Sequence, residues 1–253
     1  MKTTAILSVG AIIAACSSAN AAIFAWDWNR GEPVSAGIND TGGAIGGIST
    51  TFDTLTNRFT WEVTFTNQVT DGFTLVLSPG ANPKGHAGEL AIIYFDNKDM
   101  NAPRISAYNY NGLNTLTSYK DGAPIDGNQT PDRITNSLLE GPAFESITAQ
   151  DVGTTRVLSF AMDATSLNVH NPLYPSGQND WTGVAYGEAL GIWFHPIKNL
   201  NRSYNDSGYL TNWSGNHGWM DGFGIATREV PTPGSVALLG LGGVVALRRK
   251  RSA

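Results

Sequence analysis

Arg58-Phe59-Thr60-Trp61-Glu62-Val63-Thr64-Phe65-Thr66-Asn67 is the stretch that decides the fold. Phe59, Trp61, Val63 and Phe65 fall on one side of an extended chain and Thr60, Glu62, Thr64 and Thr66 on the other, because successive strand side chains point to opposite faces. Such alternation describes a half-buried strand. Upstream, Ile48, Thr50 and Phe52 alternate in the same way, and the turn formers between Asp53 and Asn57 predict a hairpin joining the two runs.

Working outward, Phe73 to Ser78, Leu90 to Phe95, Arg104 to Tyr110, Arg156 to Asp163, Ala189 to His195 and Phe223 to Thr227 are short and rich in β-branched or aromatic residues. Gly, Pro, Asn or Asp bounds each one. Leu90-Ala91-Ile92-Ile93-Tyr94-Phe95 lacks polar alternation, which predicts a central strand covered on both faces. Only Asn136 to Glu140 and Ala164 to Val169 suggest helix, and both are brief. Residues 22–229 suit one large domain. The expected fold is all-β, a sandwich of jelly-roll type, with a closed barrel as the open alternative.

The ends carry signals of their own. Lys2, an apolar stretch from Ala5 to Ala15 and Ala19-Asn20-Ala21 have the layout of an export signal over residues 1–21, cleaved to leave Ala22 first. Its partners are the Sec machinery and signal peptidase. Ile13-Ala14-Ala15-Cys16 offers a second reading, a lipobox that would acylate Cys16. That is the single cysteine, so cleavage after Ala21 would leave no disulfide or thiol chemistry.

At the other end, Val230-Pro231-Thr232-Pro233-Gly234 precedes an apolar run to Leu247 and then Arg248-Arg249-Lys250-Arg251. The uncharged stretch from Val230 to Leu247 would measure roughly 27 Å as a helix, against a hydrocarbon core of about 30 Å. It reads as a marginal transmembrane helix whose cations stay in the cytoplasm.

An export signal, a body, a Pro-x-Pro mark, an apolar span and an Arg-rich end together resemble the PEP-CTERM proteins of Gram-negative bacteria. The resemblance covers residues 230–253, with Thr232 where the family usually has Glu. It implies processing by an exosortase-like enzyme and transient anchoring in the inner membrane. Delivery would be to the cell surface or extracellular matrix, often beside exopolysaccharide. It implies nothing about the body.

Charge separates the body from its signals. All 21 acidic residues lie between Asp27 and Glu229, whereas five of the 16 basic ones belong to the ends. The mature domain is therefore acidic. With no Lys/Arg cluster among its aromatics, it excludes nucleic acid as a partner.

Catalytic signatures are sparse. His86, His170, His195 and His217 form no close metal-binding pair, and no Gly-x-Ser-x-Gly elbow occurs. Glu89, Asp96, Asp180, Glu188 and Asp221 would support a secreted carbohydrate-active enzyme only if two of them converged in a groove, because glycoside hydrolysis needs paired carboxylates. The favoured reading is noncatalytic and adhesive or polysaccharide-associated. Trp181, Trp213, Trp219 and Tyr209 sit in Gly/Asn/Ser-rich stretches expected to be loops, and are the candidates for stacking on sugars. No cofactor is expected beyond a structural calcium ion, for which Asp96, Asp99, Asp126 and Asp132 offer hard oxygen donors.

Overall fold

The computed structural model describes residues 22–30, 37–78, 91–112, 116–120, 131–139, 143–168, 170, 189–225 and 227–229. Residues 1–21 and 230–253, where an export signal and a sorting tail are expected, lie outside them. Among the described residues, no helix is long and apolar enough to cross a membrane.

The described residues form fourteen strands: β1 (Ile23–Asn29), β2 (Ile38–Asn39), β3 (Ile45–Asp53), β4 (Arg58–Phe65), β5 (Gly72–Ser78), β6 (Ala91–Asp96), β7 (Arg104–Asn109), β8 (Arg133–Asn136), β9 (Phe144–Val152), β10 (Thr155–Asp163), β11 (Ala189–Tyr204), β12 (Leu210–His217), β13 (Trp219–Ile225) and β14 (Thr227–Glu229). A single-turn helix, α1, spans Thr165–Asn168. One sheet has the order β14-β1-β3-β4-β10-β9. The other runs β2-β13-β11-β5-β6-β7-β8, with β12 joined to β11. The chain is all-β, as its alternation predicts, and the two sheets fit a sandwich.

The hairpin forms as expected. Register pairs Phe52 with Phe59, Thr50 with Trp61 and Ile48 with Val63, so one apolar row from each strand faces inward. The turn is fixed by Asp53, whose carboxylate accepts from the Leu55 amide at 2.8 Å and the Thr56 hydroxyl at 2.9 Å. Asn57 closes it at φ 54°, a left-handed conformation that Asn tolerates better than most residues.

The inner faces meet through rings. Trp61 of β4 lies 6.4 Å from Phe73 of β5 and 5.7 Å from Phe194 of β11, so the sheets touch through aromatic edges and faces. Phe59, Trp61, Val63 and Phe65 are all essentially inaccessible to solvent. Burial of side chains of this size stabilises the fold by about 1.5–3 kcal/mol each.

β6 is buried along its whole length, and the reason is a second core. Its Ile93 and Phe95 join the inter-sheet core, while Ile92 and Tyr94 join an aromatic cluster on the opposite face. That cluster includes Tyr108, Tyr110, Tyr119, Trp193, Tyr209 and Trp213.

Several elements depart from expectation. Asn136 to Glu140 is not a helix in its described part: Asn136 ends β8, and its side-chain oxygen accepts from the Leu138 amide at 2.9 Å, making a turn. β11 continues past His195 to Tyr204, with register shifts beyond Lys198 that bend it. β1, β2, β8, β9, β12 and most of β14 add strands where none was expected. β9 lies at a sheet edge and β12 pairs only with β11, and such strands need little apolar alternation. The short helix expected near Ala164 is α1, whose start is held by the Asp163 carboxylate accepting from the Thr165 amide.

Candidate functional site

Trp213 and Tyr209 belong to the second core instead of an open loop. Trp213 is central in β12 and only 2% exposed. It meets Tyr94 edge-on at 5.3 Å, and its backbone amide donates to the Tyr119 hydroxyl at 3.1 Å. Tyr209 lies immediately before β12 and packs edge-on against Tyr108 at 5.7 Å, with the Arg133 guanidinium 4.9 Å above its ring. Burial raises its phenol pKa. Trp219 opens β13, is half-buried, and packs over Gly37. Trp181 lies outside the described residues.

The acidic candidates are mostly engaged. Asp96 is buried at the end of β6, where it accepts from Arg202 Nε at 2.7 Å, the Tyr204 hydroxyl at 2.8 Å and the Lys98 amide at 2.9 Å. Burial, together with the Asp96 charge, pushes the Tyr204 phenol far above its ordinary range, so this hydroxyl keeps its proton and donates. Arg104 stacks on the same ring at 5.1 Å. Asp99 caps a turn by accepting from the Asn101 amide at 3.1 Å. Asp132 is buried with one oxygen 2.9 Å from His170 Nε2 and the other accepting from Asn109 Nδ2 at 3.0 Å. Asp126 is outside the described residues. Among those described, no group of three His, Cys, Asp or Glu side chains could hold a metal ion.

Of the acids proposed to converge, Asp96 and Asp221 are described, and they do not meet. Asp221 pairs with Trp193 of β11, whereas Asp96 pairs with Gly72 of β5, three strands away from β13 and several residues further along. That is more than 15 Å at about 4.8 Å per strand and 3.3 Å per residue. Glu89, Asp180, Glu188 and His86 lie outside. His217 is held off water with both ring nitrogens lacking a hydrogen bond, and burial lowers its pKa.

A concave feature among the described residues lies on the other side of the molecule. A trough of about 270 Å³ crosses the outer face of the six-stranded sheet over β3, β4, β10 and β9. Register sets Asp27, Ser49, Glu62, Ser159 and Thr148 in one cross-strand row, and Thr51, Thr60, Ala161 and Ser146 in the next. Two hydroxyl pairs knit the floor, Thr51 with Thr60 and Thr148 with Ser159, each at 2.6 Å. Ser49, Glu62 and Ser146 are exposed. The nearby cations are engaged: Arg58 donates to Glu145 at 2.6 Å and Arg156 to Asp151 at 2.7 Å.

Sequence reading had the polar alternation of Thr60 and Glu62 in hand but treated it as a solvated face. Only the pairing of four strands turns separate polar positions into one hydroxyl-lined surface with a carboxylate near its centre. Such a surface donates and accepts many hydrogen bonds.

No family model matches the chain, and no curated protein matches it. A solved chain described under "pH-induced modulation of Streptococcus parasanguinis adhesion by Fap1 fimbriae" is similar over 83% of this chain and 99% of its own length, at 10% identity and a TM-score of 0.24. A likeness that slight carries no argument.

Proposed function

We propose that this chain is an exported, noncatalytic protein of the cell surface or extracellular matrix. In this reading the body is a β-sandwich of jelly-roll type, and a cleavable signal and a PEP-CTERM-like tail deliver it. The supporting observation is where the two expected processing points meet the fold. Ala22, the residue expected to follow signal cleavage, is buried, and both its backbone groups bond to Thr54. Glu229, one residue before the start of the tail at Val230, pairs in register with Ile23. The first and last described strands, β1 and β14, thus pair with each other, which brings the two expected processing points to one end of the same ladder.

Mass spectrometry of the protein recovered from the cell surface tests the reading. The expected mature form begins at Ala22 and lacks the Arg-rich end. A surface form that still carries Arg248 to Ala253, or one that begins at an acylated Cys16, would overturn the corresponding half.

A further inference from the structure

We infer that the trough on the outer face of the six-stranded sheet is a saccharide-binding site, and that Glu62 gives it a preference for sugars bearing an ammonium group. The reasoning starts from what the trough lacks. No aromatic side chain points outward from β1, β3, β4, β10 or β9 along the two rows, and of the trough-lining side chains in those rows only Ala161 is apolar.

What the trough offers is a grid of hydroxyls. Ser49, Thr51, Thr60, Ser146 and Ser159 stand about 4.8 Å apart across strands and about 7 Å apart between rows. Each hydroxyl can donate once and accept twice; Thr60 Oγ1 also accepts from the Thr51 amide at 3.2 Å, so the capacity open to solvent lies chiefly with the exposed Ser49 and Ser146. A polyhydroxylated chain lying across the sheet exchanges its water contacts for this grid without leaving polar groups unmatched. The volume, near the lower end of the ~300–1,000 Å³ usual for ligand pockets, suits a short segment of a longer chain passing through.

Charge chooses among sugars. Asp53 and Asp163 spend their carboxylates on turn and helix caps, and Glu145 and Asp151 are paired with arginines. Glu62 and Asp27, on either side of Ser49, are the exposed carboxylates left along the central row. With an acidic body around them, they repel uronic-acid polymers and attract an amino sugar.

The inference needs no export or processing, so it can fail separately from the reading above. The test is calorimetric titration of the purified full chain with a glucosamine hexamer, its fully N-acetylated counterpart and an oligogalacturonate. The glucosamine hexamer is expected to bind best and the oligogalacturonate not at all. Glu62→Gln should weaken glucosamine binding about threefold to fivefold, the scale of one exposed ion pair, and raised salt should do the same. Ser49→Arg, a change at an exposed position, should abolish binding with an unchanged melting temperature. Absence of binding to all three probes, equal affinity for them, or undiminished binding by Ser49→Arg would overturn the inference.

Discussion

Ile23 and Glu229 are partners across the β1–β14 ladder, and Phe24 and Ala25 follow in register with Arg228 and Thr227. The neighbouring residue Ala22 is tied to the β3–β4 turn by its amide donating to the Thr54 hydroxyl at 3.0 Å. Removing that acceptor tests how firmly the first strand is held. Thr54→Val should lower unfolding free energy by about 1 kcal/mol in a denaturant titration, the usual worth of one such bond.

Asp96 should matter much more. Asp96→Ala leaves Arg202 and the Tyr204 hydroxyl without their shared acceptor in a buried setting. We expect a loss of about 3 kcal/mol, at the lower end of the range for breaking a buried pair, because Arg202 keeps some contact with water. Chemical denaturation of the variant measures it.

Trp213 fills the second core. Trp213→Ala should cost about 3–5 kcal/mol through the cavity it opens beneath Tyr94. The cavity lies on the opposite sheet from the trough, so any sugar affinity the trough has should survive wherever the variant remains folded.

His217 sets a pH dependence. Its folded pKa lies below the ordinary imidazole value of 6.5, so below about pH 6.5 the unfolded chain takes up a proton that the folded chain resists. Stability should be fully present above that pH and fall as the pH drops towards 5. In His217→Gln the slope over this window should flatten, as followed by the denaturation midpoint.

Gly42 tests how tightly the short turn over Asp40–Gly42 is seated. A Cβ there would sit 1.9 Å from the carbonyl oxygen of Pro196, a backbone atom of β11 that cannot swing aside. Gly42→Ala should destabilise by about 3 kcal/mol, the upper part of the range for overpacking, and thermal denaturation would register it.

One-sided or complete burial left a readable trace in β4 and β6, and β1 carries the same trace in Phe24, Trp26 and Trp28, which the sequence reading left unused. Phe59 to Phe65 and Ile92 to Phe95 declared themselves because water had been excluded from a fixed subset of positions. β12 was hidden because it pairs only with β11, and Thr211, Ser214 and Asn216 resemble loop composition. For the same reason Trp213 looked like an exposed ring, although its environment is supplied by Tyr94 and Tyr119, distant in the chain. The trough was illegible for a different cause. Ser49, Glu62 and Ser159 acquire joint meaning only through register, and pairing across 97 positions from Glu62 to Ser159 leaves no local trace.

β14, the last described strand, also determines how the protein would respond to tension. Any pull transmitted through residues beyond Glu229 enters along β14 and must be borne by three residue pairs to β1. The β3–β4 and β4–β10 ladders behind it are much longer. The short strand is therefore the mechanical fuse: under load it should shear away first, leaving the hydroxyl-lined face and both cores intact. A single-molecule pulling trace should show that small release before the main rupture.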